Sequence, residues 1–124
     1  MNNAINWFEI PAQDFERAVA FYTALTGSEL YREVFQGIPN AFFPADQGAV
    51  GGAIIHDPKV KPSENGAVIY LNAGNDIDAM LARVVPAGGQ VITGKTPIPP
   101  QGFIAYIRDT EGNKIGLHMP EQQG

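Results

Sequence analysis

The sequence predicts an α+β fold: two tandem βαβββ modules whose strands form a curved, partly open, barrel-like sheet. Three observations carry that expectation. The 124-residue chain repeats itself, since Asp14-Phe15-Glu16-Arg17-Ala18-Val19 is answered by Asp76-Ile77-Asp78-Ala79-Met80-Leu81 at a spacing of 62. In each copy an acidic start precedes apolar residues at helical spacing: Phe15, Ala18, Val19 and Tyr22, then Ile77, Met80, Leu81 and Val84. Each helical pattern also ends at glycine, Gly27 in the first half and Gly88-Gly89 in the second, as a helix C-terminal stop does. Beyond each glycine the chain breaks into short β-rich runs separated by turn residues. Duplication bears on function, because each module presents a half-covered sheet and a pair of modules encloses a cleft.

Taken in order, Ala4 to Ile10 is rich in Ile, Trp and Phe and reads as a strand ending at Pro11, which has no N–H for a ladder. Asp14 is the expected N-cap of a helix to about Thr26, with Glu16 well placed against the helix dipole. Strands follow at Leu30 to Phe35, Ala41 to Pro44 and Val50 to His56, with turns at Gly37-Ile38-Pro39-Asn40 and Asp46-Gln47-Gly48. The midpoint is a Pro, Lys and Ser segment without apolar period. Residues 58–65 are therefore expected to link modules 1–57 and 66–119 within one domain, 1–124. The second module opens with a strand from Ala67 to Ala73, a cap at Asn75 or Asp76 and a helix to about Val85, where Pro86 restricts further turns. Its remaining strands are Gln90 to Thr93, Phe103 to Asp109 and Lys114 to Met119. Three prolines make Gly94 to Gly102 a stiff loop, and Asp109 to Asn113 is a tight turn at Gly112.

Composition narrows the function. Asp and Glu outnumber Lys and Arg by 13 to 8, a net charge of −5, and the densest basic run is Lys59-Val60-Lys61. That excludes a phosphate-backbone footprint, so nucleic acid is not an expected partner. The longest uncharged apolar run, Ala49 to Ile55, is too short to cross a bilayer, and no basic region leads into an apolar core at the N-terminus. A cytoplasmic protein without membrane partners is expected. The absence of cysteine removes thiol nucleophiles, disulfides and thiolate metal sites.

Glu9-Ile10-Pro11 leading to Asp14, Arg17-Ala18, Phe21-Tyr22, the run Asp76 to Gly89, and Asp109-Thr110-Glu111-Gly112-Asn113-Lys114-Ile115-Gly116-Leu117 together resemble the vicinal oxygen chelate superfamily. That superfamily includes glyoxalase I, bleomycin-resistance proteins and extradiol dioxygenases. The last run resembles the family's Asp-Pro-x-Gly-Asn turn, with Thr110 in place of proline. The resemblance implies a divalent metal held by His and Glu side chains on the first and last strands of each module. Carried over, those positions fall near Ile5 to Trp7, at Gly52 or Ala53, near Val68 and at Gly116. None carries a donor for a hard cation, so no cofactor is expected, and a divalent metal only at a non-standard site.

Alternation along the strands sends Trp7 and Glu9, Val68, Tyr70 and Asn72, and Gly116 and His118 to one side. Phe8, Ile10, Ile69, Leu71 and Leu117 take the helix side. Glu9 is a carboxylate within a strand, so it either lines a wet cleft or is paired. His118 is either a displaced metal ligand, an acid–base group or a ligand anchor, or else an imidazole exposed at a strand end. His56, followed by Asp57-Pro58, reads as part of a solvated turn. Trp7, Phe43, Tyr70, Asn72, Phe103 and Tyr106 are the candidate lining of an aromatic small-molecule pocket, and Gly51-Gly52 leaves room beside it. Two functions follow. One is metal-independent binding of a small organic molecule in the cleft between modules, as in the bleomycin-resistance branch. The alternative is a glyoxalase-like lyase, isomerase or epimerase using Glu9 and His118. Incompletely covered sheets predict a homodimer, and the cleft closes either within one chain or across two by exchange of modules.

Overall fold

A computed structural model describes residues 3–121. Its elements run β1 (Trp7–Pro11), α1 (Phe15–Thr26), β2 (Tyr31–Phe35), β3 (Ile38–Phe42) and β4 (Gly51–Ile55), then β5 (Tyr70–Asn72), α2 (Ile77–Val84), β6 (Gln90–Pro97), β7 (Phe103–Arg108) and β8 (Lys114–Met119). This is βαβββ twice. The strands form two four-stranded sheets of the same order, β1-β4-β3-β2 and β5-β8-β7-β6. In each, the first strand pairs in parallel with the fourth and the other pairings are antiparallel. The sheets are not closed, and β1 and β5 are edge strands that do not pair with each other.

The helices start as the sequence requires. Asp14 accepts from Arg17 N at 3.1 Å and Asp76 from Ala79 N at 3.0 Å, each quenching a free first-turn amide. Their ends differ. Gly27, at φ +72°, caps α1 through one bond from its N–H to the Thr23 carbonyl. After α2 the left-handed residue is Gly88, and paired bonds run from Gly88 N to Val85 O and from Gly89 N to Val84 O. The two copies thus stop one residue out of step, through different C-terminal motifs. Gly89 is needed for closeness instead: a Cβ there would stand 2.7 Å from the Arg108 carbonyl and from the Phe21 ring.

One hydrophobic core serves both modules. Ile10, Phe21, Tyr22, Leu25 and Ile54 from the first join Leu71, Ile77, Val84, Ile107 and Leu117 from the second. Each large side chain fully buried here contributes about 1.5–3 kcal/mol. The turn after β7 bolts the halves together. Buried Asp109 accepts from the Tyr22 hydroxyl at 2.6 Å, from Glu111 N and Asn113 N at 2.8 and 2.9 Å, and from Asn113 Nδ2 at 2.9 Å. Asn113 Nδ2 also donates to the Pro11 carbonyl at the end of β1. Glu111 accepts from Gln13 N and Asp14 N, and pairs with Arg17 at 2.8 Å.

Several boundaries differ from the sequence expectation. The expected turn at residues 37–40 is a two-residue hairpin turn at Gln36-Gly37, both at positive φ, and Pro39 lies inside β3. Phe35 and Ile38 flank that turn as its hydrogen-bonded pair, so the next pair, Val34 and Pro39, asks no N–H of proline. The expected loop from Gly94 is strand as far as Pro97. β6 is an edge strand with irregular register between Val91 and Thr96, a setting that tolerates both Gly94 and Pro97. β1 begins only at Trp7 and β5 only at Tyr70, where pairing with β4 and β8 begins.

Candidate functional site

Alternation delivers the two expected faces. Ile10, Leu71 and Leu117 are buried on the helix side, whereas Trp7, Glu9, Tyr70 and Asn72 are exposed and His118 is half-buried on the outer side. Cross-strand partners extend these faces: Glu9 lies beside Ala53, Tyr70 beside Gly116, and Asn72 beside His118. Phe43 and Phe103 point the other way. Both pack against the core, Phe43 with Phe8 and Tyr22 at 5.5 and 5.6 Å between ring centroids, and Phe103 beneath Lys95 Nζ at 4.7 Å. Register decides this, since Phe103 alternates with Ile104 and therefore falls opposite to His118.

On the outer face of the second sheet, the Tyr70 ring covers Gly116 and reaches Tyr106. A side chain at Gly116 would collide with that ring. The two phenols share a hydrogen bond of 2.6 Å, which together with partial burial pushes the Tyr70 pKa up to about 12. His118 Nε2 lies 2.7 Å from the Gln101 carbonyl, which only accepts, so Nε2 carries the proton and donates. His56 is likewise held, its Nδ1 donating to the Ala12 carbonyl at 2.8 Å, and it forms a strut between the ends of β4 and β1 where a solvated turn was expected.

The sheet edges leave a cavity of about 730 Å³ where β1 and β5 fail to pair. Phe8, Phe43 and Pro44 line it from the first module and Tyr70, Asn72 and Met80 from the second. Asn72 Oδ1 accepts from Gly74 N at 2.8 Å, which leaves its amide NH2 to donate. Glu9 does not reach this space. It lines a smaller seam cavity of about 180 Å³ with Lys61, Asn65 and Lys114, and another on the first sheet with Trp7. Neither lining includes His118, so Glu9 and His118 share a side of the molecule without sharing a cavity.

The residues present do not fit the metal that the family implies. At the four carried-over positions stand Ile5 to Trp7, Gly52 or Ala53, Val68 and Gly116, none with a donor for a hard cation, and the last is roofed by a tyrosine ring. Among the described residues, no three His, Cys, Asp or Glu side chains gather in a group able to hold an ion. No helix there is long and apolar enough to cross a membrane.

Repeated βαβββ modules, parallel pairing of first and fourth strands and a cavity at the module seam define a class of proteins built around a cleft between half-covered sheets. The chain belongs to the Glyoxalase/Bleomycin resistance protein/Dioxygenase superfamily, whose profile matches residues 4–117. It is 30% identical over 118 residues to the putative glyoxylase CFP32 of Mycobacterium tuberculosis, covering 94% of this chain and 44% of that protein. The chain thus spans less than half the length of that relative. A glyoxylase-like domain-containing protein of Didymella fabae is 31% identical over 125 residues, covering 91% of each. Among solved structures, a glyoxalase/bleomycin resistance protein from Albidiferax ferrireducens superposes with a TM-score of 0.75 at 21% identity, covering 94% of this chain and 98% of that one. Glyoxalase I from Zea mays gives 0.68 at 20%, covering 94% and 47%. At such identities these structures speak to the fold alone.

Proposed function

We propose that this protein binds a small, largely apolar organic molecule in the cavity between its modules, without the metal ligands usual in its family. One observation carries the reading: about 730 Å³ of space walled by apolar side chains of both modules, with Asn72, Thr26 and Ser28 among the polar residues of its lining. That volume suits a drug-sized molecule, and a few oriented polar groups in an apolar wall are what such sites use for specificity. In this role Phe8, Phe43 and Met80 exclude water, and Asn72 Nδ2 donates to a carbonyl or ether oxygen. A cytoplasmic homodimer completes the proposal, its second copy covering exposed sheet face; light scattering at micromolar concentration checks it, and a monomer there would remove that part.

The test is a screen of small aromatic and alicyclic compounds by thermal shift, with hits titrated against Asn72→Ala and Met80→Trp proteins. Binding that weakens at least about fivefold in both supports the site. Hits indifferent to both variants would overturn it.

A second reading is favoured by the names of the curated relatives, one a putative glyoxylase and the other a glyoxylase-like domain-containing protein. It is a lyase or isomerase in which Glu9 and His118 act as acid and base. Their separate cavities and the engagement of His118 Nε2 by Gln101 weigh against it. Elemental analysis of the purified protein, with assays of the methylglyoxal–glutathione adduct in added Ni, Zn, Mn or Mg, separates the two. The binding reading expects far less than one metal per chain and no conversion; stoichiometric metal with turnover would establish the second.

A further inference from the structure

Asn65-Gly66 is the single Asn-Gly pair in the chain, and it lies in the segment that joins the modules. Both residues are exposed and belong to no helix or strand. The backbone is staked just before the pair: Ser63 N donates to Asn113 Oδ1 at 3.1 Å, Arg108 Nε holds Glu64 at 3.1 Å, and Asn65 N donates to Ser63 Oγ at 3.0 Å. Beyond Asn65 the staking stops. The Asn65 side-chain amide and the Gly66 N–H have no hydrogen-bond partner among the described residues. Gly66 stands at φ +97°, and a Cβ built there would meet no atom within 4 Å.

Other asparagines are held differently. Asn40 and Asn113 are buried, and their Nδ2 atoms donate to the carbonyls of Ile38 and Pro11. Asn72 gives Oδ1 to Gly74 N, and the backbone amide that follows it, Ala73 N, is committed to the His118 carbonyl at 2.8 Å. After Asn75 the next amide, Asp76 N, donates to Ala73 O at 3.3 Å.

A free side-chain amide next to a free backbone nitrogen has a reaction open to it. Gly66 N gives its proton to hydroxide and attacks Asn65 Cγ, with no side chain on the glycine to obstruct the approach. A bond forms between that nitrogen and Cγ, the Cγ–Nδ2 bond breaks, and ammonia leaves with a proton from solvent. Water then opens the five-membered imide at Cγ to give aspartate, or at the backbone carbonyl to give isoaspartate, whose main chain runs through the former side chain. Lys61 and Lys114 line the seam cavity together with Asn65, and their ammonium groups favour both the anionic nitrogen and the carboxylate that replaces a neutral amide. We propose that Asn65 is a site of spontaneous deamidation, through which this protein gains with time an aspartyl or isoaspartyl residue at the end of its inter-module segment. Each event adds a negative charge to a chain of net −5 and places it in the lining that holds Lys61 and Lys114. The isoaspartyl product also lengthens the main chain shortly before β5. None of this depends on what the inter-module cavity binds.

The experiment ages the full chain in mildly alkaline buffer at physiological temperature, beside the same chain unfolded in urea. Peptides are followed by mass spectrometry, and isoaspartate by enzymatic methyl transfer to its free carboxylate. The Asn65 peptide should gain about 1 Da at least about tenfold faster than the peptides of Asn40, Asn72, Asn75 or Asn113 in the folded chain. Folding should slow the reaction at Asn65 by no more than about threefold, since nothing in the structure protects it. Gly66→Ala should slow it about tenfold, in urea as well as in buffer, which separates the missing side chain from the positive φ of the folded state. A rate at Asn65 no greater than at the other asparagines, protection by folding beyond threefold, or an unchanged rate in Gly66→Ala would overturn the proposal.

Discussion

The outer faces of the two sheets begin from the same scaffold and end with opposite chemistry. Ala12 N donates to Ile55 O and Ala73 N to His118 O, both at 2.8 Å, which aligns the first strands of the modules and sets Glu9 opposite Tyr70. In the second module that position is a phenol lying across Gly116 and bonded to another phenol, and the nearby His118 donates to a backbone carbonyl. In the first it is a carboxylate beside Ala53, in a concavity that it shares with Trp7. The sheet of the second module satisfies itself; that of the first looks outward. Caps, close-approach glycines and the buried alternate of each strand build the duplicated fold, and the other alternate is left to carry whatever chemistry a site requires.

The comparison is broken most severely by cutting what joins the halves. Asp109→Ala leaves the Tyr22 hydroxyl and two backbone amides without their acceptor inside the shared core, and should cost about 3–5 kcal/mol in urea unfolding. An unfolding midpoint unchanged by this substitution would mean that the modules are not bolted at this turn. Glu111→Gln loosens the same joint less, by about 1–2 kcal/mol, because Arg17 is half-exposed and the two amide bonds keep an oxygen acceptor. Burial pushes Glu111 up, but hydrogen bonds from Arg17, the Asp14 amide and Thr110 outweigh it and hold the carboxyl below its ordinary 4.5. The folded state therefore binds its proton more weakly than the unfolded chain does. Its contribution is complete above the ordinary value and fades as pH falls through the lower folded one, so the variant should show a shallower acid limb.

Equal helix starts predict equal losses: Asp14→Ala and Asp76→Ala should each cost about 1 kcal/mol by thermal unfolding. A large inequality would show that the copies use their caps differently. The smallest effect on stability belongs to Tyr106→Phe, and it sharpens the contrast between faces. Removing that hydroxyl should return the Tyr70 titration, followed by ultraviolet absorbance, from about 12 towards 10. Because the folded pKa is the higher one, the stability linked to Tyr70 is full below 10 and lost as pH rises through 12; the variant should lack that alkaline decline.

Most of this architecture was legible in the residues, because the repeat at Asp14 and Asp76 and the glycines after each helix are strong local signals. Prolines misled where topology overrode them. Pro39 and Pro97 look like turn residues, yet each lies where its strand needs no N–H from it, which depends on the partner strand and not on the local sequence. The two-faced pattern was also legible, and it brought Trp7, Glu9, Tyr70, Asn72 and His118 to the outer side. Which of these share a cavity was not, since that depends on the gap between β1 and β5. Tyr106 over Gly116 follows only from the register of β7 against β8.

The position of β8 has a consequence for how the molecule is made. It is the last of the eight strands to leave the ribosome, yet it is an interior strand, inserted between β5 and β7. Until it arrives, β5 has no partner in its sheet and β7 has only β6, while Ile115, Leu117 and Met119 are missing from the core that both halves share. The nascent first module therefore waits with its apolar underside uncovered, and so does the second helix. Closure of both halves falls on one late, long-range insertion, the kind of step that is slow and exposed to misassembly.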